Sequence, residues 1–229
     1  MSFEASDSVS TTDRPPGEST SRRAYDYVKD RLLDGRFAGG TLLSENEIAQ
    51  RLGCSRTPVR QAFVELQGEG LLDLYPRRGG LVVPVSPTEA DDVLEARLLL
   101  EPYCSRRAAV VTGATSATMA AELQAAIAEQ EAALDQAGTG FIKADRRFHR
   151  AIVAATGNVL LVRQYDALRD RHQRIAAATL ARDPGRIERF IAEHRGIAAA
   201  LEGGDADVGA ELTAAHLHSA HELARRARW

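Results

Sequence analysis

Across 229 residues, no apolar run approaches the roughly 18 residues needed to cross a bilayer. The start, Met1-Ser2-Phe3-Glu4-Ala5, lacks the basic residues and apolar stretch of a secretory signal. Cysteine is scarce. Cys54 and Cys104 form neither a disulfide framework nor a metal-binding spacing. These absences exclude a spanning helix and lead us to expect a cytoplasmic protein with free thiols and no membrane partner. Excess positive charge is missing as well: 29 Lys+Arg against 32 Asp+Glu leave a net charge of −3. Attraction of the whole chain to nucleic acid is therefore excluded, and only a local cluster can serve that purpose. Beyond about residue 88 there is no strand pattern, and nowhere is there a repeat of fixed period.

What is present falls into three regions. Residues 1–20 are rich in Ser, Thr, Asp, Glu and Pro, have little to bury, and are expected to be a disordered tail. Residues 21–85 are expected to form one small domain. A helix can run from Ser21 to Asp34 with Tyr25, Val28 and Leu32 on one side. Ser44-Glu45-Asn46-Glu47 reads as a capping box in front of a short helix that carries Ile48, Ala49 and Leu52 and stops at Gly53. Ser55 can cap the next helix, whose Val59, Ala62, Phe63 and Leu66 make an apolar stripe at helical spacing. The period then changes. Leu72–Tyr75 and Leu81–Val83 alternate as strands around Pro76-Arg77-Arg78-Gly79-Gly80, a turn with two arginines. Two short helices across a Gly turn, followed by a basic hairpin, predict a winged helix-turn-helix.

In that motif the second helix enters the major groove of double-stranded DNA. Arg56, Thr57, Arg60, Gln61 and Val64 lie opposite its apolar stripe. Arg56 and Arg60, four apart, share a side and have the fork geometry to bond guanine O6 and N7. Ser55 and Thr57 can bond phosphates, and Arg77 and Arg78 can reach the minor groove or backbone. Two arginines alone would favour a solvated basic face; the ordered series of cap, turn, stripe and hairpin reverses this in favour of DNA.

Pro84-Val85-Ser86-Pro87 reads as a linker, and residues 86–229 as an all-α bundle. Six helices are expected, at 88–111, 115–137, 139–156, 158–181, 185–202 and 205–226. In the third, Phe141, Phe148 and Ile152 mark the buried face, and Asp145 and His149 share it four residues apart. His194 sits in the stripe of Phe190, Ile197 and Leu201, and His216 in that of Leu212, Ser219 and Leu223. His218 and His221 fall elsewhere and are expected in solvent. An inward aspartate is costly unless paired or bound to metal. The four residues either are satisfied separately in the core or converge on a divalent ion. Zinc suits the histidine count best, with manganese, nickel or iron as alternatives. His172 lies on the stripe of Leu161, Tyr165, Leu168 and Ile175, as a core histidine or an effector contact. Arg97, with Glu101 four later, reads equally as an intrahelical ion pair or as a carboxylate ligand.

Residues 21–85 resemble the GntR family of bacterial regulators. The carrying segments are Leu43–Ala49, Leu52-Gly53-Cys54-Ser55-Arg56-Thr57-Pro58-Val59-Arg60-Gln61-Ala62, Glu69-Gly70-Leu71 and Arg77-Arg78-Gly79-Gly80. The resemblance implies operator contacts from Arg56 and Arg60, with Ser44 and Asn46 at the same face, and Gly79 or Gly80 bringing the wing tip close to DNA. Gly39 departs from a usual proline, and Asn46 stands where some members carry a DNA-contacting arginine. Asp145–Ile152 with Gly157-Asn158, Glu193-His194-Arg195 and His216-Leu217 resemble the FCD ligand-binding domain of FadR-like GntR regulators. That likeness implies a metal held by Asp145, His149, His194 and His216 with an effector beside it. The whole then reads as a homodimer on a short inverted repeat, a repressor released by a small carboxylate bound near the metal and contacting Arg97 and His172. Two rivals stand: a regulator whose effector is the metal itself, and a metal-dependent hydrolase, against which no separate general base is evident.

Overall fold

The computed structural model describes residues 19–134, 139–181, 183 and 185–226. Most of the expected N-terminal tail lies outside these residues. Its last two residues belong to a helix: Ser19 caps α1 (Thr20–Leu33), its side chain accepting from the Arg22 N–H at 3.1 Å. The chain divides into two compact units between Pro84 and Val85.

In the first unit α1 is followed by β1 (Leu42–Leu43), α2 (Glu45–Leu52), α3 (Arg56–Gly68), β2 (Leu72–Tyr75) and β3 (Gly79–Val82). The apolar stripes close on one core. Val28 of α1, Val59, Ala62, Phe63 and Leu66 of α3, and Leu72 and Val82 of the sheet are all buried there. Gly53 ends α2 in the left-handed region at φ 61°, where a side chain is disfavoured. The sheet is antiparallel in the order β1-β3-β2, with Leu43 opposite Gly80 and Leu74 opposite Gly80 on the other side. β1 is absent from the sequence reading because two residues show no alternation. The expected capping box does not form. Ser44 and Ser55 occupy N-cap positions in extended backbone, yet neither side chain makes a capping hydrogen bond. At α2 the first helical hydrogen bond still forms, from the Ile48 N–H to the Ser44 carbonyl at 3.1 Å.

The second unit holds seven helices among the described residues, one more than expected: α4 (Pro87–Ala109), α5 (Gly113–Ala132), α6 (Thr139–Ala155), α7 (Val159–Ala167), α8 (Arg169–Leu180), α9 (Arg186–Glu202) and α10 (Ala206–Arg226). The expected 158–181 helix is interrupted at one residue, Leu168, whose N–H turns back to Tyr165 O at 3.1 Å before the ladder resumes at His172. With no Gly or Pro there, nothing in the pattern marks the break. α10 packs chiefly on α4, and α5 on α6. Leu123, Phe148, Ile152, Ile197 and Leu201 are buried in one shared core. Leu212, expected inside, is 38% exposed; α10 buries Thr213 and Leu217 beside the expected His216 and Leu223.

The wing glycines face inward. A Cβ on Gly79, at φ 112°, would sit 2.0 Å from Leu43 O; one on Gly80 would press on Leu72, Phe63 and Leu74 at 3.1–3.3 Å. Close passage of β1 over β3 therefore needs Gly79. The Gly79→Ala variant should lose about 2 kcal/mol or more in urea unfolding. Gly68→Ala, in open space on α3, should gain about 0.5–1 kcal/mol. Equal effects of the two would refute this account of the wing.

Candidate nucleic-acid interface and metal centre

In the first unit the exposed face of α3 presents Arg56, Thr57, Arg60, Gln61 and Val64, with Ser55 at its N-cap. This follows from the stripe: the core takes Val59, Ala62, Phe63 and Leu66, so the intervening positions must face out. Ser44, Asn46, Arg56, Arg60, Arg77, Arg78 and Gly79 line one cleft between the two helix starts and the wing, while Gly80 is buried beneath it. The structure thus brings most of the expected contact residues together. It adds one partner that pattern reading missed, since Arg56 Nη2 lies 3.2 Å from Glu45 Oε2. The wing turn closes through Arg78 N–H to Tyr75 O at 3.0 Å, with Pro76 and Arg77 at its centre. Arg77 takes φ 64°, the left-handed region, where an L side chain costs roughly 1–2 kcal/mol.

In the second unit Asp145, His149, His194 and His216 come together. One ligand atom from each lies within 4.8 Å of all the others, and all four residues are buried. α6 supplies Asp145 and His149, α9 supplies His194 and α10 supplies His216. His194 Nε2 is 3.2 Å from His216 Nε2 and 3.5 Å from Asp145 Oδ1. Asp145 Oδ1 is 3.7 Å from His149 Nε2.

The opposite nitrogen of each ring faces an oxygen acceptor. His194 Nδ1 is 2.8 Å from Gln130 Oε1, and His216 Nδ1 is 2.8 Å from Glu193 Oε2. His149 Nδ1 is 2.8 Å from Glu101 Oε2, at ion-pair distance but out of line for a regular hydrogen bond. Amide and carboxylate oxygens only accept, so the Nδ1 atoms carry the protons and lone pairs remain on Nε2. The Nε2 atoms of His194 and His216 then face each other without a proton between them. His149 Nε2 is buried with no hydrogen-bond partner. Adding a proton is opposed. Burial, then His216 and His149, hold His194 well below the usual imidazole range; burial lowers His216 too, against the pull of Glu193. Three nitrogen lone pairs and a carboxylate oxygen converging in this way fit a divalent cation, and an outward N–H acceptor on each ring is the support that metal-bound imidazoles receive.

Glu101, Gln130 and Glu193 were not singled out from sequence as partners of the histidines. Glu193 stands beside His194 yet serves His216, and Gln130 lies 64 positions from His194. Arg97 forms the intrahelical ion pair, its Nε and Nη2 on the two Glu101 oxygens, while Nη1 is 2.5 Å from His172 Nε2. Burial alone would lower the Arg97 pKa, but Glu101 reverses this and raises it. Burial would likewise raise Glu101, but Arg97 and then His149 hold it below the usual carboxylate range. Burial, and then Arg97, push His172 well down. Arg97, Asp145, His172 and His216 all line one cavity of about 60 Å³. His218 is exposed as expected. His221 is not: its Nε2 is held by Asp91 Oδ1 at 2.6 Å and it lies on the same cavity wall.

Glu101 is only 2% exposed, so removing its charge strands a buried guanidinium. Glu101→Gln should cost about 3–5 kcal/mol in urea unfolding. Glu131→Gln, which breaks the exposed pair with Arg195, should cost under about 1 kcal/mol. A small loss at Glu101 would show that Arg97 needs no counter-ion.

Two family descriptions match the chain. "Bacterial regulatory proteins, gntR family" covers residues 20–82 and "FCD domain" covers residues 92–219. An HTH-type transcriptional regulator from the TAR-I ttuE-ttuC' intergenic region of Agrobacterium vitis is 33% identical over 151 residues, 66% of this chain and 85% of that one. The HTH-type transcriptional repressor RspR of Escherichia coli (strain K12) is 26% identical, covering 93% of this chain and 92% of its own. Among solved structures, a GntR transcriptional regulator from Rhodococcus sp. RHA1 superposes with a TM-score of 0.75 at 20% identity, over 93% of this chain and all of its own.

Proposed function

From the premise that the chain belongs to the GntR family of bacterial transcriptional regulators and carries its FCD domain, we propose a metabolite-responsive repressor whose effector, a small carboxylate, binds beside a divalent metal. Members of the family are regulators that bind DNA and small-molecule effectors, not enzymes, and this disfavours the hydrolase alternative. No helix among the described residues is long and apolar enough to cross a membrane.

Residues 21–85 read DNA and residues 86–229 sense the effector. A homodimer presents two copies of α3 to a short inverted repeat, because two-fold protein symmetry calls for two-fold DNA. Arg56, Thr57, Arg60 and Gln61 meet base edges or phosphates. Glu45 holds Arg56 in place until DNA competes for it. Arg77, Arg78, Ser44, Asn46 and Ser55 secure the backbone; the two serine hydroxyls are not used as helix caps, which leaves them for phosphate. The strained φ of Arg77 supports a role for its charge at the wing tip, since a glycine there would carry no such cost.

One observation carries the sensing half of this reading: two of the four convergent ligand residues, Asp145 and His216, line a cavity that also shows a guanidinium. Asp145, His149, His194 and His216 would hold the metal. Zinc fits three imidazoles best. When bound, a divalent cation supplies Lewis acidity and positive charge toward an anion. Arg97 and His172 would orient the effector carboxylate from the other side. Differential affinity of that ligand for two arrangements of the protein shifts operator affinity. The same four residues also support the metal-responsive alternative.

Arg60→Ala should weaken operator binding by roughly 1–3 kcal/mol in a band-shift titration. Its melting temperature should hold, because the residue lies off the buried stripe. Unchanged affinity would refute the base-reading role. For the second unit, elemental analysis of protein purified without chelator or nickel resin should find near-stoichiometric metal. Added zinc should raise the melting temperature of stripped protein, and His194→Ala should abolish both effects. A melting curve indifferent to zinc and manganese would reduce the four residues to core polar groups. Operator affinity that follows zinc alone, with no response to carboxylates, would favour the metal-responsive alternative.

A further inference from the structure

The cavity beside the four-residue centre narrows the ligand further than its charge does. At about 60 Å³ it is small. One water occupies roughly 10–15 Å³ measured in this way, so about four to six small groups fit, two of them the carboxylate oxygens. Its polar lining consists of Arg97, Asp145, His172, Thr179, His216 and His221. Arg97 Nη1 touches His172 Nε2, and Asp145 and His216 belong to the converging set. Thr179 and His221 are partly engaged elsewhere. The Thr179 hydroxyl donates to Ile175 O at 2.7 Å, and His221 Nε2 is held by Asp91.

The remaining wall is hydrocarbon, including Ala90, Val93, Leu94, Ile175, Leu180 and Ala224. Four of these, Ala90, Val93, Ile175 and Ala224, pack with Val85 into a hydrophobic cluster of their own. The apolar surface is therefore continuous. It faces an end that carries the Arg97 guanidinium and the His172 ring, whose Nε2 accepts from Arg97.

We propose, resting on the carboxylate-effector reading above, that this chamber selects a short monocarboxylate with a plain hydrocarbon chain of about two to four carbons beyond the carboxylate. The headgroup meets Arg97 and His172, and the chain lies against Val93 and Ile175. A polyhydroxy acid would press most of its hydroxyls onto hydrocarbon, and a dicarboxylate would bring a second charge there. Affinity rises with each methylene until the chamber is full.

The test is calorimetric titration and thermal shift on full-length, zinc-loaded protein with propionate, butyrate, pentanoate, decanoate, gluconate and succinate. Affinity should climb roughly fourfold per methylene from propionate to pentanoate, and decanoate should gain nothing further per methylene beyond that. Gluconate and succinate should bind at least about tenfold more weakly than butyrate. Val93→Thr keeps the side-chain shape but exchanges a methyl for a hydroxyl. It should weaken pentanoate several-fold and leave zinc affinity unchanged. Gluconate or succinate binding as tightly as butyrate overturns the proposal. So does failure of every short acid to bind protein that zinc still stabilises, a result that leaves the metal reading standing. If zinc fails to bind while the acids keep this order, the metal reading falls and the chain selectivity stands.

Discussion

Three imidazoles and a carboxylate share the middle of a helical core, and the surrounding bundle is arranged to make that burial tolerable. An unpaired polar group costs several kcal/mol away from water. Each ring therefore has an acceptor behind it, drawn from a different helix in each case: α4 for His149, α5 for His194 and α9 for His216. Five helices are committed to this one centre once the ligand-bearing α6 and α10 are included. A bundle held in this way is specified by polar geometry as much as by the apolar packing of Phe148, Ile152 and Ile197.

α4 has the widest reach. Over a single turn it places Arg97 and Glu101, and through them it touches His149 on α6 and His172 on α8. Glu101 is thus shared between a cation on its own helix and a ring that faces the metal-fitting centre. On the reading proposed above, a ligand drawing on Arg97 would alter how much of the Glu101 charge is left for His149. Pro102 follows directly, inside the helix, where it removes one backbone hydrogen bond of α4. The cavity and the centre are consequently two faces of one set of contacts.

The architecture was legible wherever a periodic pattern had to bury one face. The stripe on α3 dictated both its core and its exposed arginines, and the i, i+4 pair Asp145/His149 together with two further stripes pointed to the four converging residues. Other features left no local trace. β1 is too short to alternate, and the break at Leu168 interrupts the ladder without interrupting the period. Gln130 and Glu193 meet their histidines only through tertiary packing. Local signals also misled: Ser44-x-x-Glu47 has the spacing of a capping box, but no such cap forms. Leu212 has the right phase for the core and the wrong neighbours, and His221 lies off the stripe yet is bonded to Asp91 on α4.

The left-handed Arg77 has a bearing on how this protein can be altered. Glycine or asparagine at that position would relax the turn and make the wing more stable, so any selection for heat resistance alone has a ready route through it. On the reading proposed above, that route discards a cation at the point where the wing approaches DNA. Robustness and operator grip would then be opposed at a single codon, and a thermostable derivative of this regulator should be screened for target occupancy before it is taken as an improvement.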